Sequence, residues 1–183
     1  FFCFLVIINN CYTAYMTKPK KRVITTPGII YLSLFVAFAT VILVFSAFSG
    51  EISSSQSNFV VDILNSILRF FGVILNESQL DTFAFFVRKI IGHFLIFLLD
   101  GIFAYLMLIN LSIMKKKWLP VILAISLMIM IAGASELIQL FTSGRSGNFY
   151  DVGIDLSGAM LGVATAFLVT LSRKEKAEHS SAS

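Results

Sequence analysis

Four stretches of this chain are apolar for long enough to cross a bilayer, and they leave little room for anything else. The first covers about residues 29–48 without a charge. The second covers about residues 90–113 and carries His93 and Asp100. The third covers about residues 118–141, with Glu136 and Gln139 near its end, and the fourth about residues 151–171, with Asp155 one turn inside. Each meets the roughly 20 residues that a helix needs to span the hydrocarbon core. Unpaired backbone groups are not tolerated in lipid, so each is read as a helix. Composition agrees: 57% of the 183 residues are hydrophobic and 13% charged, against about a quarter charged in a soluble domain. That excludes a disordered chain, a nucleic-acid module and an ordinary soluble enzyme. The expected fold class is all-α, a polytopic membrane protein with four transmembrane helices.

Sidedness follows from where Lys and Arg flank the spans. One side takes Lys18, Lys20, Lys21 and Arg22, then Lys115, Lys116 and Lys117, then Arg173, Lys174 and Lys176. The other takes Arg69, Arg88, Lys89 and Arg145, the remainder of the 14 basic residues. The bias places both termini in the cytoplasm and residues 49–87 outside. That outer segment opens with a hydroxyl-rich run through Ser53, Ser54, Ser55, Gln56 and Ser57. Phe59, Val60, Ile63, Leu64, Ile67, Leu68 and Phe71 then recur at helical spacing. The pattern predicts an extracellular amphipathic helix between the first and second spans, as an interfacial brace or as a lid. Residues 1–28 read as a cytoplasmic leader and residues 173–183 as a polar, disordered tail. Met16 is the first methionine, so residues 1–15 are expected to be a fragment of an earlier span or sequence upstream of the true start. Cys3 and Cys11 define no disulfide framework.

The informative residues are polar ones that lipid would not tolerate alone. An ionised group at mid-membrane costs about 2.5–3.5 kcal/mol on insertion scales, so such groups face the bundle interior. Arg88, Lys89 and His93 lie at the outer end of the second span. Glu136 and Gln139, three apart, share a face of the third. Asp151 and Asp155, four apart, share a face of the fourth, and Gly158 and Gly162 continue that stripe as a close-packing seam. Arg145, in the glycine-flanked loop between the last two spans, points back over the bundle. These eight polar residues fall at one depth, which predicts a single polar site open to the exterior. Structural pairing is the other account: Arg145 with Asp151, Glu136 with Lys89. Asp100 lies deeper, where it is expected to bond His93 or another helix.

Several chemistries can be weighed. His93, Glu136, Asp151 and Asp155 have metal-ligand atoms, but no metalloprotease signature accompanies them, and neither metal nor cofactor is assigned. The spacing Arg145-x5-Asp151-x3-Asp155 matches the membrane acid-phosphatase motif, except that Asp stands where that motif has its His. Phosphohistidine chemistry is therefore absent. Arg88, Lys89 and Arg145 still suit a phosphate or carboxylate, so binding an anion is favoured over cleaving one. In this reading Arg88, Lys89, Gln139, Arg145, Asp151 and Asp155 bind ligand. His93 and Glu136 are the candidates for catalysis if the protein is an enzyme.

The ordered set Arg88-Lys89-x3-His93, Glu136-x2-Gln139, Gly144-Arg145-x-Gly147, Asp151-x3-Asp155 and Gly158-x3-Gly162 resembles the VanZ-like family of bacterial membrane proteins over about residues 30–172. The family usually has an acidic residue three after the His and an Asp just before the Glu; here those positions are Ile96 and Ser135. The resemblance implies a multi-pass protein of the bacterial cytoplasmic membrane. The family's namesake gives low-level resistance to teicoplanin, a lipid-tailed glycopeptide. The implied partners are membrane lipids and a lipid-linked cell-wall component or lipoglycopeptide, with no nucleic acid. An enzyme acting on such a lipid and a structural accessory subunit are the alternatives.

Overall fold

A computed structural model of the chain describes residues 25–111, 118–145 and 147–182. Most of the expected leader, Met16, both cysteines and the Lys115, Lys116, Lys117 cluster lie outside these residues. Helix α1, Thr26–Ser46, starts under a Thr25 cap, with Pro27 in its first turn. The Thr25 hydroxyl accepts from the Gly28 N–H at 3.2 Å and donates to the Asn110 carbonyl at 3.0 Å, tying the start of α1 to the far end of the second span. Helix α2, Gly50–Phe70, follows a short turn. Helix α3, Glu77–Val87, opens on a reciprocal capping box between Asn76 and Gln79. It continues through a π-helical stretch, Arg88–Leu95, into α4, Ile96–Asn110. Helices α5, Leu119–Leu140, and α6, Phe149–Ala182, complete the bundle.

Among the described residues all regular structure is helical. Four helices are long and apolar enough to cross a membrane: Thr26–Ser46, Glu77–Asn110, Leu119–Leu140 and Phe149–Ala177. The protein is a four-span membrane protein. Helix α4 is its axis, buried almost all round from Phe97 to Asn110 and packed by α1, α5 and α6. A helix apolar on every side is stable in such a place because it has no polar face to hydrate. The surrounding helices leave Ile29, Val36, Ile122, Met130 and Leu168 exposed, as helices facing hydrocarbon do.

The structure differs from the sequence expectations in four places. The second span begins at Glu77, not near residue 90, because the Asn76–Gln79 box starts a helix while its first turn is still polar. The amphipathic segment is helical, but its apolar stripe divides. Val60, Leu64 and Leu68 are half-buried, whereas Phe59, Ile63, Ile67 and Phe71 are exposed. The serine flank of α2 competes for the inner face because the end of the bundle beneath it is polar. Residues 173–182, expected to be disordered, extend α6. Their Arg, Lys, Glu and Ala are good helix formers attached to a helix already nucleated.

Asp100 is the fourth difference. It is fully buried, and neither carboxylate oxygen has a partner among the described residues, since His93 bonds elsewhere. A buried polar group without a hydrogen bond costs about 1–3 kcal/mol. Asp100→Val, close in volume, is therefore expected to raise stability by about that amount in detergent unfolding titrations. A loss of stability would show that the carboxyl makes a contact the fold requires.

Candidate functional site

The second and fourth spans run parallel, joined by a ladder of contacts at one-turn intervals. At the first rung Lys89 Nζ donates to Asp151 Oδ1, with the ammonium 5.5 Å from the centre of the Phe85 ring. At the second, His93 Nδ1 lies 3.0 Å from Asp155 Oδ1. Each pair of rung residues is four apart on its helix, so both rungs fall on one face. The glycine seam follows. A Cβ on Gly158 would stand 2.2 Å from the Phe94 carbonyl oxygen, and one on Gly162 would stand 2.1 Å from that of Leu98. Only glycine lets the two backbones approach this closely. Lys89, His93 and Phe94 all lie in the π-helical stretch Arg88–Leu95, a geometry that is frequent at functional sites.

Helix α5 and the loop after it close the site from the other side. Glu136 accepts from Gln139 Nε2 at 3.1 Å and from the Asn148 N–H at 2.8 Å. Asn148 in turn opens α6, its carbonyl accepting from the Asp151 N–H at 2.8 Å. The loop passes so close that a Cβ on Gly147 would lie 2.8 Å from the Glu136 carbonyl oxygen, and Gly144 has φ +71°. Arg145 Nη1 donates to the Phe45 carbonyl at 2.8 Å, which also accepts from the Phe48 N–H at 3.3 Å in the turn that ends α1. Ser46 and Ser135 share a hydroxyl–hydroxyl bond of 2.9 Å, and the Gly50 N–H donates to the Ser143 carbonyl at 3.0 Å. One loop thus fastens α1, α2, α5 and α6 together.

Between these elements is a cavity of about 280 Å³. Ser46 and Phe45 come from α1, Ser53, Gln56, Ser57 and Val60 from α2, and Arg88, Gly92 and His93 from the π-helical stretch. Ser135 and Gln139 come from α5, with Arg145 from the loop. Among the described residues its wall contains two guanidiniums and an imidazole and not one carboxylate. The Arg88 side chain has no hydrogen bond or ion pair among the described residues. Burial lowers the pKa of Arg145, an effect that Glu136 opposes and the Arg88 charge adds to. A guanidinium stays charged regardless, so two like charges face one small space.

The sequence pattern of the VanZ/LLP1 family matches residues 29–170, more than three quarters of the chain. The chain belongs to the VanZ/LLP1 family. No curated protein and no solved structure matches it. Ile96 and Ser135 both line the cavity.

The eight residues singled out from the sequence of this VanZ/LLP1 protein do come together, but with different partners from those expected. Asp151 pairs with Lys89 rather than Arg145, and Glu136 bonds Gln139 and the Asn148 N–H rather than Lys89. Helix phase decides this, because Lys89 faces α6 while Arg145 reaches across to α1. Arg88, His93, Gln139 and Arg145 line the cavity; Lys89, Glu136, Asp151 and Asp155 stand outside its wall. His93, Glu136 and Asp155 each offer a donor atom within 4.8 Å of the others, the one such group among the described residues that could hold a metal ion. Asn148 and the Ser46–Ser135 bond were not anticipated. An Asn just before Phe149-Tyr150-Asp151 is a legible helix cap, whereas nothing in the sequence pairs Ser46 with Ser135.

Proposed function

We propose that this protein binds the anionic head group of an amphiphile in the cavity beneath α2, at the outer leaflet of a bacterial cytoplasmic membrane. The observation that carries this reading is the cavity wall: Arg88, Arg145 and His93 without a carboxylate among them. Two cations kept close together, one of them without a protein partner, fit a phosphate or carboxylate better than any neutral ligand. The size fits as well. At about 280 Å³ the cavity lies just below the range of about 300–1,000 Å³ for pockets enclosing whole small molecules, so it suits a head group whose tail stays in the bilayer. Gln56, Gln139 and the serine hydroxyls supply neutral partners for sugar or peptide groups. The positive-inside bias turns this end of the bundle outward. The exposed Phe59, Ile63 and Ile67 of α2 suit an interfacial helix covering the site. A lipid-linked cell-wall precursor and a lipoglycopeptide such as teicoplanin both have the required chemistry.

The test is binding of a polyprenyl-diphosphate lipid and of teicoplanin, with vancomycin as the tail-less control, to purified protein in nanodiscs. Arg88→Ala removes a charge that holds no protein contact. It is expected to weaken binding by about 10-fold or more, the loss of a charge-assisted hydrogen bond, with unfolding unchanged. Unaltered affinity in Arg88→Ala, or failure of wild type to bind either amphiphile, would end this reading.

A second reading is enzymatic, and the His93–Asp155 contact favours it. A carboxylate at Nδ1 orients the imidazole and leaves Nε2 for proton transfer in the cavity that His93 lines. Turnover of the bound lipid that disappears in His93→Ala while binding survives would select it.

A further inference from the structure

His93, Glu136 and Asp155 reach one place from three different helices. A ring nitrogen of the first and a carboxylate oxygen of each acid lie within 4.8 Å of one another. The side chains belong to residues only 9%, 6% and 0% exposed. Asp155 meets His93 through Oδ1, but its Oδ2 is buried without a partner among the described residues. Two carboxylates this close inside a membrane bundle repel unless a cation or a proton joins them. Of the basic side chains nearby, Lys89 is committed to Asp151 and Arg145 to the Phe45 carbonyl, while Arg88 lines the cavity. Glu136 itself is held by neutral donors, an amide side chain and a backbone N–H.

We infer that these three side chains form a binding site for one divalent first-row transition ion, with zinc the best match. The donor set decides the class of metal. One imidazole nitrogen with two carboxylate oxygens suits zinc and its neighbours, whereas magnesium and calcium take oxygen ligands throughout. The charges match too, since a neutral imidazole and two carboxylates balance a dication. The spacing is close to what is required. Ligand atoms about 2.0–2.1 Å from a tetrahedral zinc stand roughly 3.3 Å apart, and those here are separated by 3.0 Å in the His93–Asp155 contact and by at most 4.8 Å overall. Gln139 Nε2 and the Asn148 N–H each donate to the Glu136 carboxylate and hold it in one orientation, as hydrogen-bond donors behind a metal ligand do. Three protein ligands leave a coordination position open, and His93 is common to the cluster and the cavity wall. The site goes beyond amphiphile binding and does not depend on it, since the three ligands stand whatever the cavity holds.

The experiment uses the full chain, purified in detergent, stripped with chelator and loaded with zinc chloride. Bound metal is measured by mass spectrometry after gel filtration, and X-ray absorption reads its ligands. One zinc per chain is expected, held by nitrogen and oxygen at about 2.0–2.1 Å with one imidazole and no sulfur at about 2.3 Å. His93→Ala and Asp155→Asn are expected to weaken binding about 100-fold or more, and Gln139→Ala, which removes a donor to Glu136, by about 10-fold or more. His179→Ala should change nothing. Failure of folded, stripped wild type to take up zinc would overturn the assignment. So would binding by His93→Ala at wild-type affinity, or an absorption spectrum with sulfur or without imidazole. If the variants do not fold, the wild-type spectrum alone decides. Amphiphile binding by chelator-stripped protein separates failure of this site from failure of the cavity reading.

Discussion

Gly158→Ala should be among the most damaging single-methyl additions in this protein. The added Cβ would stand 2.2 Å from the carbonyl oxygen of Phe94 and 3.0 Å from its carbonyl carbon. Both are backbone atoms of a packed helix, so no side chain can swing aside. The helices must separate by about an ångström, and the same separation loosens the contacts at Gly162 with Leu98 and at Gly101 with Ala159. Overpacking typically costs about 1–3 kcal/mol and more where nothing can yield, so about 3 kcal/mol or more is expected. Gly153→Ala is the matched control on the same helix. Nothing lies within 4 Å of its added methyl, so the helix-propensity gain of up to about 1 kcal/mol should leave it neutral or stabilised. Denaturant titration in detergent micelles compares the two, and equal stability would refute the close approach of the second and fourth spans.

Lys89→Ala is expected to be the most harmful change among the charged residues. It leaves Asp151, only 6% exposed, without its ammonium partner. Breaking a buried pair costs about 3–5 kcal/mol, but Asp151 lies in the first turn of α6, where the helix dipole returns up to about 1 kcal/mol. About 2–4 kcal/mol should remain. The reverse deletion, Asp151→Ala, should cost less, about 1 kcal/mol, because a long lysine can carry its charge to the interface while a short aspartate cannot. The double variant should recover most of the loss, since no charge is then left stranded. A Lys89→Ala penalty no larger than that of Asp151→Ala, or no recovery in the double variant, would show that the pair is a surface contact.

The two cases also show why the sequence was informative to different degrees. The spans were readable because lipid imposes one rule on every residue of a segment, so length and apolarity suffice. The glycine seam was readable because its spacing repeats every four residues. The start of the second span was misplaced because Glu77, Ser78 and Asp81 hide a helix from any reading based on apolarity. The partners weighed for Asp100 and Arg145 were not those found, because a partner depends on how two helices are rotated about their axes, which no single segment encodes.

The sequence by itself determined four spans, their apolar surfaces, the family, and which eight polar residues share one end of the bundle. Tertiary structure alone decided which of them meet. It set Lys89 on Asp151 and His93 on Asp155, left Arg88 and Arg145 facing a cavity without a carboxylate, and drew Glu136 to within 4.8 Å of the His93–Asp155 pair. The physical reason is that burial in lipid is a property of each residue, whereas a contact is a property of two helices and the phase between them. Here that phase is set by glycine backbones in contact and by a π-helical stretch, whose effect appears only once the helices are packed.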